Sequence, residues 1–191
     1  MKKISGWGIF GICVLAIVLI LGFWGVGSYN NLVSLKENVD SKYSDIDVQL
    51  QRRSNLIPNI VNTVKGYTSH ESKILDEIAN SRSKLASAST VSSKASADSE
   101  LSSAVSKLMV VVENYPDLKA DTQFTTLMDN LEGTENRIAT ARKDYNEAVQ
   151  GYNKSIKMFP NSLIAGMCGF AEAERFEADQ NASQTPQVNF N

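Results

Sequence analysis

The stretch FTTLMDNLEGTENRIATARKDYNEAVQGYNKSIKMF, Phe124–Phe159, decides the fold class. Within it Phe124, Leu127, Leu131, Thr134, Ile138, Ala141, Tyr145, Ala148, Tyr152, Ser155 and Phe159 follow one another at alternating steps of three and four. Such a heptad seam predicts one long helix packed on its neighbours in the manner of a coiled coil. Gly133 interrupts it at a cost of about 1 kcal/mol relative to Ala, tolerable where another helix comes close. Pro160 stops the run, because a proline cannot continue the helical hydrogen-bond ladder.

Working towards the N-terminus, Leu101, Val105, Leu108 and Val112 align on a shorter helix over Glu100–Asn114. Pro116 closes that helix, and Asp117 or Asp121 can cap the long one that follows. Ile74, Leu75, Ile78 and Leu85 mark another helix, preceded by Thr68-Ser69-His70-Glu71, which has the spacing of a capping box. Between these two, Ala86–Ser99 reads ASASTVSSKASADS, a small, polar stretch fit for a loop or a frayed helix end. Upstream again, Leu32, Leu35, Val39, Tyr43, Ile46, Leu50, Ile57, Val61 and Val64 form one stripe, with Arg53 in its skipped position. Pro58 predicts a kink or local break in that helix, and Gly66 its end. No strand pattern of useful length interrupts this series.

Before the stripe lies the most apolar part of the chain. Lys2 and Lys3 are followed by an uncharged run from Ile4 to Tyr29 whose centre, Trp7–Val26, is WGIFGICVLAIVLILGFWGV. Twenty helical residues reach roughly 30 Å, the thickness of a hydrocarbon core. Trp7 and Trp24 sit near its ends, where amphipathic rings favour the interface. A cleavable signal peptide would have an apolar stretch of only about 7–15 residues and a clear small-residue cleavage site. The run here is longer, and Gly25-Val26-Gly27-Ser28 is a weak site, so an uncleaved anchor is expected. The Lys pair favours an N-terminus inside and a soluble part outside the cytoplasm.

The expected architecture is therefore all-α, an N-terminal transmembrane helix followed by an antiparallel bundle of about four helices, long-short-short-long. Residues 1–27 form the anchor, 28–159 the bundle, 160–171 an apolar segment too short to span, and 172–191 a disordered polar tail. If successive helices alternate in direction, the segment after Pro160 returns to the bilayer surface. There it either lies in the interface or caps the bundle with Leu163, Ile164 and Phe170. Since the two short helices cover only part of the long ones, a bare stripe at Leu32, Leu35, Tyr152 and Phe159 predicts homo-oligomers or other membrane partners.

Composition removes several functions. Without the anchor the chain has 17 basic and 21 acidic residues, a net of −4, which argues against nucleic-acid binding. Cys13, in the span, and Cys168 make no disulfide framework. His70 is the only histidine, no Gly-x-Ser-x-Gly elbow occurs, and no enzyme activity or cofactor is expected. Asp45 and Asp47 diverge on a helix, and Glu132 with Glu135 lacks the Glu-x-x-His pairing of di-iron bundles, so no metal site is expected either.

Several segments together resemble the LemA family of bacterial membrane proteins. They are the N-terminal span, YNNLVSLKENVDSKYSDIDVQLQRRSNLIPNIVNTVKGY (Tyr29–Tyr67), ENYPDLKAD (Glu113–Asp121), LEGTENRIATARKDYNEAVQGYN (Leu131–Asn153) and FPNSLIAGMCGF (Phe159–Phe170). They occur in the expected order and cover nearly the whole chain apart from the serine-rich connector and the tail. Tyr43 departs from the pattern, where many relatives look to have Trp. The resemblance implies an all-α bundle on a membrane anchor, implies no reaction, and, through relatives associated with bacterial membrane compartments, hints at scaffolding. Within these motifs Asp47, Gln51, Arg52 and Arg53 can face Glu132, Asn136, Arg137, Arg142 and Asn146. That set is either an ion-pair network fixing helix register or, in a receptor-like module, a groove for a small ligand.

Overall fold

Residues 6–68 and 71–176 are described by a computed structural model, and all regular structure among them is helical. Helix α1, Gly6–Lys65, runs for 60 residues without a break. Its first third is the apolar run, and that part is long and apolar enough to cross a membrane. Its remainder carries the stripe, buried at Leu32, Val39, Ile46, Leu50, Ile57 and Val64. Ile60 is buried where the stripe predicted Val61.

The break expected at Pro58 does not occur, and the chain shows how it is avoided. A proline at 58 removes the N–H that would bond the carbonyl of Ser54 one turn earlier. Arg82 fills that vacancy, its Nε–H donating to the Ser54 carbonyl oxygen at 2.9 Å. Ser54 itself is buried, so an unpaired carbonyl there would be costly.

The rest of the described chain is α2, Ser72–Ser87; α3, Val91–Val112; the single turn α4, Pro116–Lys119; α5, Thr122–Lys157; and α6, Asn161–Cys168. The Thr68–Glu71 capping box has its middle two residues, Ser69 and His70, outside the described residues. α2 packs along α3, tied by Lys84 to Glu100 at 2.6 Å and by Lys107 to Glu77.

α3 begins well before the expected Glu100. Thr90 caps it, accepting from the Ser93 N–H at 3.1 Å while the Ser93 hydroxyl accepts from the Thr90 N–H at 3.0 Å. The serine-rich stretch is thus helical over most of its length, and it buries Ala97 and Asp98. Burial overrides the weak helix propensity of its serines. Pro116 opens α4, and of the two aspartates proposed as caps Asp121 is used. Its Oδ1 accepts from the backbone of Gln123 at 2.7 Å and Phe124 at 2.9 Å. Its Oδ2 accepts from the Tyr67 hydroxyl at 2.6 Å. That hydroxyl, then the backbone donors, hold the Asp121 carboxyl below its ordinary range, and the same bond pushes the Tyr67 phenol up.

α5 keeps the predicted seam at Phe124, Leu131, Thr134, Ile138, Tyr145 and Tyr152. From Tyr145 onwards the second position advances by one residue. Val149 and Ile156 are buried, in place of Ala148 and Ser155. A straight helix drifts about 20° per heptad against a strict seven-residue repeat, and the burial follows the helix. Phe159, the last seam position, is 79% exposed.

The described chain separates into two compact units. One comprises residues 6–41 with Glu147–Ala173. Its interior holds Leu32, Val39, Val149, Tyr152, Ile156 and Ala165. Leu32 and Tyr152, expected to lie bare on the stripe, are therefore buried within the single chain. α6 is the helix formed by the short apolar segment, and Gly169 ends it in the left-handed conformation, φ 76°. The segment after it is pinned along α5. Tyr152 donates its hydroxyl to the Ala171 carbonyl at 2.9 Å. The Asn153 amide both donates to the Ala173 carbonyl and accepts from the Ala173 N–H, each at 2.9 Å. Burial pushes the Tyr152 phenol up, with Asp40 adding to this and Lys36 opposing it.

The other unit comprises Lys42–Asn146 with the described residues from 174 onwards. Ile46, Ile57, Ile60, Ile78, Leu101, Leu108, Leu118 and Ile138 are its largest fully buried aliphatic side chains. Phe176 belongs to this interior, 4% exposed. The expectation of disorder from Glu172 onwards therefore fails for its first residues. Asn146 accepts from the Phe176 N–H at 2.9 Å and donates to its carbonyl at 2.8 Å, and Tyr145 donates to the Glu174 carbonyl at 2.7 Å. Residues 177–191 lie outside the described residues.

Candidate functional site: a buried arginine–carboxylate cluster

Arg53 interrupts an apolar stripe, so α1 carries its guanidinium straight into the interior, where it is 3% exposed. An unpaired charge there would be prohibitive. Asp98, from the serine-rich part of α3 and only 1% exposed, answers it: its Oδ1 accepts from Arg53 Nη1 at 2.7 Å. The other carboxylate oxygen, Oδ2, accepts from Arg142 Nη2 on α5 at 2.6 Å. Glu135, also on α5, brings Oε2 to within 2.6 Å of Arg53 Nη1. Ser102 completes the arrangement one turn beyond Asp98. Its hydroxyl accepts from Arg53 Nη2 at 2.9 Å and donates to the Asp98 carbonyl at 3.0 Å.

Two guanidiniums and two carboxylates thus form a set with no net charge, drawn from three helices. Such a set contributes little net stability against an apolar equivalent, but it penalises every arrangement that leaves one member alone. It therefore selects the register of α1, α3 and α5. Arg142 also lies over the Phe176 ring, 5.2 Å from its centre, and Phe176 meets Tyr145 edge-on at 5.7 Å between ring centres. Tyr43 joins this aromatic group, 5.7 Å from Tyr145.

A second polar contact stands beside it. Lys94 on α3 donates to Asp47 Oδ1 at 2.5 Å and sits 4.7 Å from the Tyr43 ring centre. Burial pulls the Lys94 ammonium down, but its bonds to Asp47 and Tyr43 together outweigh this and leave it raised.

The residues singled out from the sequence divide accordingly. Arg53 and Arg142 are in the cluster. Asp47 pairs with Lys94, and Asn146 holds the backbone of Phe176. Gln51 donates to Asn55 on the helix surface at 3.1 Å. Arg52, Glu132, Asn136 and Arg137 are exposed. Asp98, Glu135 and Ser102 were not foreseen as members. Glu135 enters the sequence reading only as a metal ligand, although its place beside Thr134, four residues after Leu131 and three before Ile138, marks it as near the core edge. Asp98 carried no such signal.

Two concavities accompany these residues. One, about 250 Å³, is lined by Asp47, Leu50, Gln51, Ser54, Arg82 and Lys94 among others. The other, about 430 Å³ and open, lies between α1 and α5 and is lined by Asp45, Gln49, Asn136, Arg137, Thr140 and Asp144 among others. Among the described residues, no three of His, Cys, Asp and Glu gather in a manner that would hold a metal ion.

Comparison with known proteins agrees with this architecture. Residues 42–190 match the model of the LemA family. The chain is 29% identical over 184 positions to magnetosome protein MamQ 2 of Paramagnetospirillum magneticum, covering 83% of this chain and 67% of that protein. It is 26% identical over 184 positions to magnetosome protein MamQ of Magnetospirillum gryphiswaldense, with the same coverage, 83% and 67%. It is 25% identical over 171 positions to protein LemA of Metamycoplasma hominis, covering 87% of this chain and 78% of that one. A family match that runs across most of an all-helical chain with a long apolar N-terminal helix places this protein in the LemA family.

Proposed function

We propose that this protein is a membrane-anchored helical scaffold that works by holding partners, other membrane proteins or second copies of itself, rather than by catalysis. The observation that carries this reading is α1, a single helix whose apolar, exposed first third continues without interruption into the bundle core. The neutral Arg53–Asp98–Glu135–Arg142 set supports it, since its charged groups are engaged with one another instead of being offered to a substrate. Likeness to proteins named magnetosome proteins supports a role at a membrane. The anchor lies in the bacterial inner membrane as a single span, with the bundle outside the cytoplasm, following the Lys2-Lys3 pair.

Alkaline carbonate is expected to leave the full chain in the membrane pellet, whereas deletion of residues 4–27 releases a folded bundle. Extraction of the intact chain by carbonate would overturn the anchor. For the scaffold, a photoreactive residue placed at the exposed Val48 is expected to give discrete crosslinks to a membrane protein or a second copy in native membranes. Only diffuse, concentration-independent labelling would count against it.

A second reading, a receptor-like module for a small polar ligand, is favoured by the open groove carrying Asn136 and Arg137, where a buried Gln49 Oε1 has no partner among the described residues. A ligand-dependent rise in melting temperature that is lost in Arg137→Ala would establish it.

A further inference from the structure

α6 presents two unlike faces. Towards α1, the Ser28 hydroxyl donates to Asn161 Oδ1 at 3.1 Å, and Tyr29 meets Phe170 edge-on at 5.7 Å between ring centres. Ile164 Cδ1 comes within 3.9 Å of the place a side chain would occupy at Gly25. Ala165 is buried between. Away from α1, Phe159 is 79%, Leu163 56% and Met167 84% exposed. Leu163 and Met167 are one turn apart, so they project from the same side of the helix. No residue from Met158 to Ala171 carries a charge.

The level of these contacts is what identifies the occupant of the outer face. Residues 25–29 of α1 lie at the C-terminal end of the apolar run Trp7–Val26, where Phe23 and Val26 are themselves exposed. If Trp7–Val26 occupies the hydrocarbon core, a helix packed on Gly25 and Tyr29 stands at the headgroup boundary. An uncharged helix of eight residues at that depth cannot span, and its apolar face meets acyl chains rather than water.

Resting on the anchor reading above, we propose that α6 is a second membrane contact, with Phe159, Leu163 and Met167 inserted in the headgroup–acyl boundary beside the point where α1 leaves the bilayer. The contact fixes the orientation of the first unit on the membrane at two points instead of one.

The two native cysteines, both exposed, test this and the anchor separately. The full chain is reconstituted in phosphatidylethanolamine–phosphatidylglycerol nanodiscs, labelled with an environment-sensitive dye either at Cys168 in a Cys13→Ser variant or at Cys13 in a Cys168→Ser variant. Lipids carrying a nitroxide at a shallow or a deep acyl position report depth, and iodide reports water access. Dye on Cys168 is expected to be quenched several-fold more by shallow than by deep nitroxide and shielded from iodide, while dye on Cys13 is quenched chiefly by the deep one. In Leu163→Glu/Met167→Glu, shallow quenching at Cys168 should fall by half or more. Deep quenching at Cys13 with a water-exposed Cys168 would overturn the second contact and leave the anchor standing. Loss of lipid quenching at both positions would overturn the two together. Unchanged quenching in the double glutamate variant would show that these side chains do not hold the helix in the bilayer.

Discussion

Around Arg53 the chain buries one guanidinium and one carboxylate, those of Arg53 and Asp98, in an otherwise apolar interior and flanks them with the part-exposed Arg142 and Glu135. Around Tyr152 it buries aliphatic and aromatic surface alone and reaches out with one hydroxyl and one amide to an extended segment. The first device fixes how three helices register against one another. The second ties down a stretch of chain that has no helix of its own to contribute. Charged pairing is specific because it is severe towards mismatches, and side-chain bonds to backbone are permissive, since any residue supplies the same N–H and C=O. The unit around Tyr152 relies on the second device, whereas the unit around Arg53 uses both, since Asn146 holds the Phe176 backbone as Asn153 holds that of Ala173.

The largest expected effect lies in the charged interior. Asp98→Ala removes the buried carboxylate that Arg53 and Arg142 share, leaving Arg53 only the part-exposed Glu135, and is expected to destabilise the bundle by about 3–5 kcal/mol. Arg52→Ala, one residue from Arg53 but exposed, should stay within about 0.5 kcal/mol. Thermal melts followed by circular dichroism in mild detergent compare the two. Equal effects would erase the contrast between an inward and an outward arginine.

Next in size is the Pro58 vacancy. Arg82→Ala leaves the Ser54 carbonyl unpaired, a loss of about 1–3 kcal/mol in the native background. In Pro58→Ala the backbone supplies its own donor, so the same substitution should cost distinctly less. A double-mutant cycle reads the difference directly, and an unchanged cost would mean that Arg82 contributes through packing alone.

Smallest and most local is the attached segment. Asn153→Ala should free residues 171–173, seen as faster hydrogen exchange at the Ala173 amide, with a stability loss of about 1 kcal/mol. Protection retained at that amide would show that Tyr152 and the packing of α6 hold the segment without it.

Much of this was legible in advance, for reasons visible at particular residues. Arg53 announced itself by falling on an apolar stripe, and the helices of the bundle followed from their periodicity. Asp98 was hidden because its neighbours are serines and alanines, whose helix is decided by what it packs against rather than by its own pattern. Val149 and Ile156 were missed because a strict heptad was imposed on a straight helix. Phe176 lies in an extended segment with no period to read.

The neutrality of the Arg53 cluster also constrains how related chains diverge. Arg53 and Asp98 are both buried, so replacing either on its own leaves the other's charge in the interior, and a lineage passing through that state loses stability before a second change restores it. Exchange of the whole set for apolar side chains carries no such standing penalty. Descendants are therefore expected to keep Arg53 and Asp98 together or to lose them together, while the part-exposed Glu135 and Arg142 vary more freely.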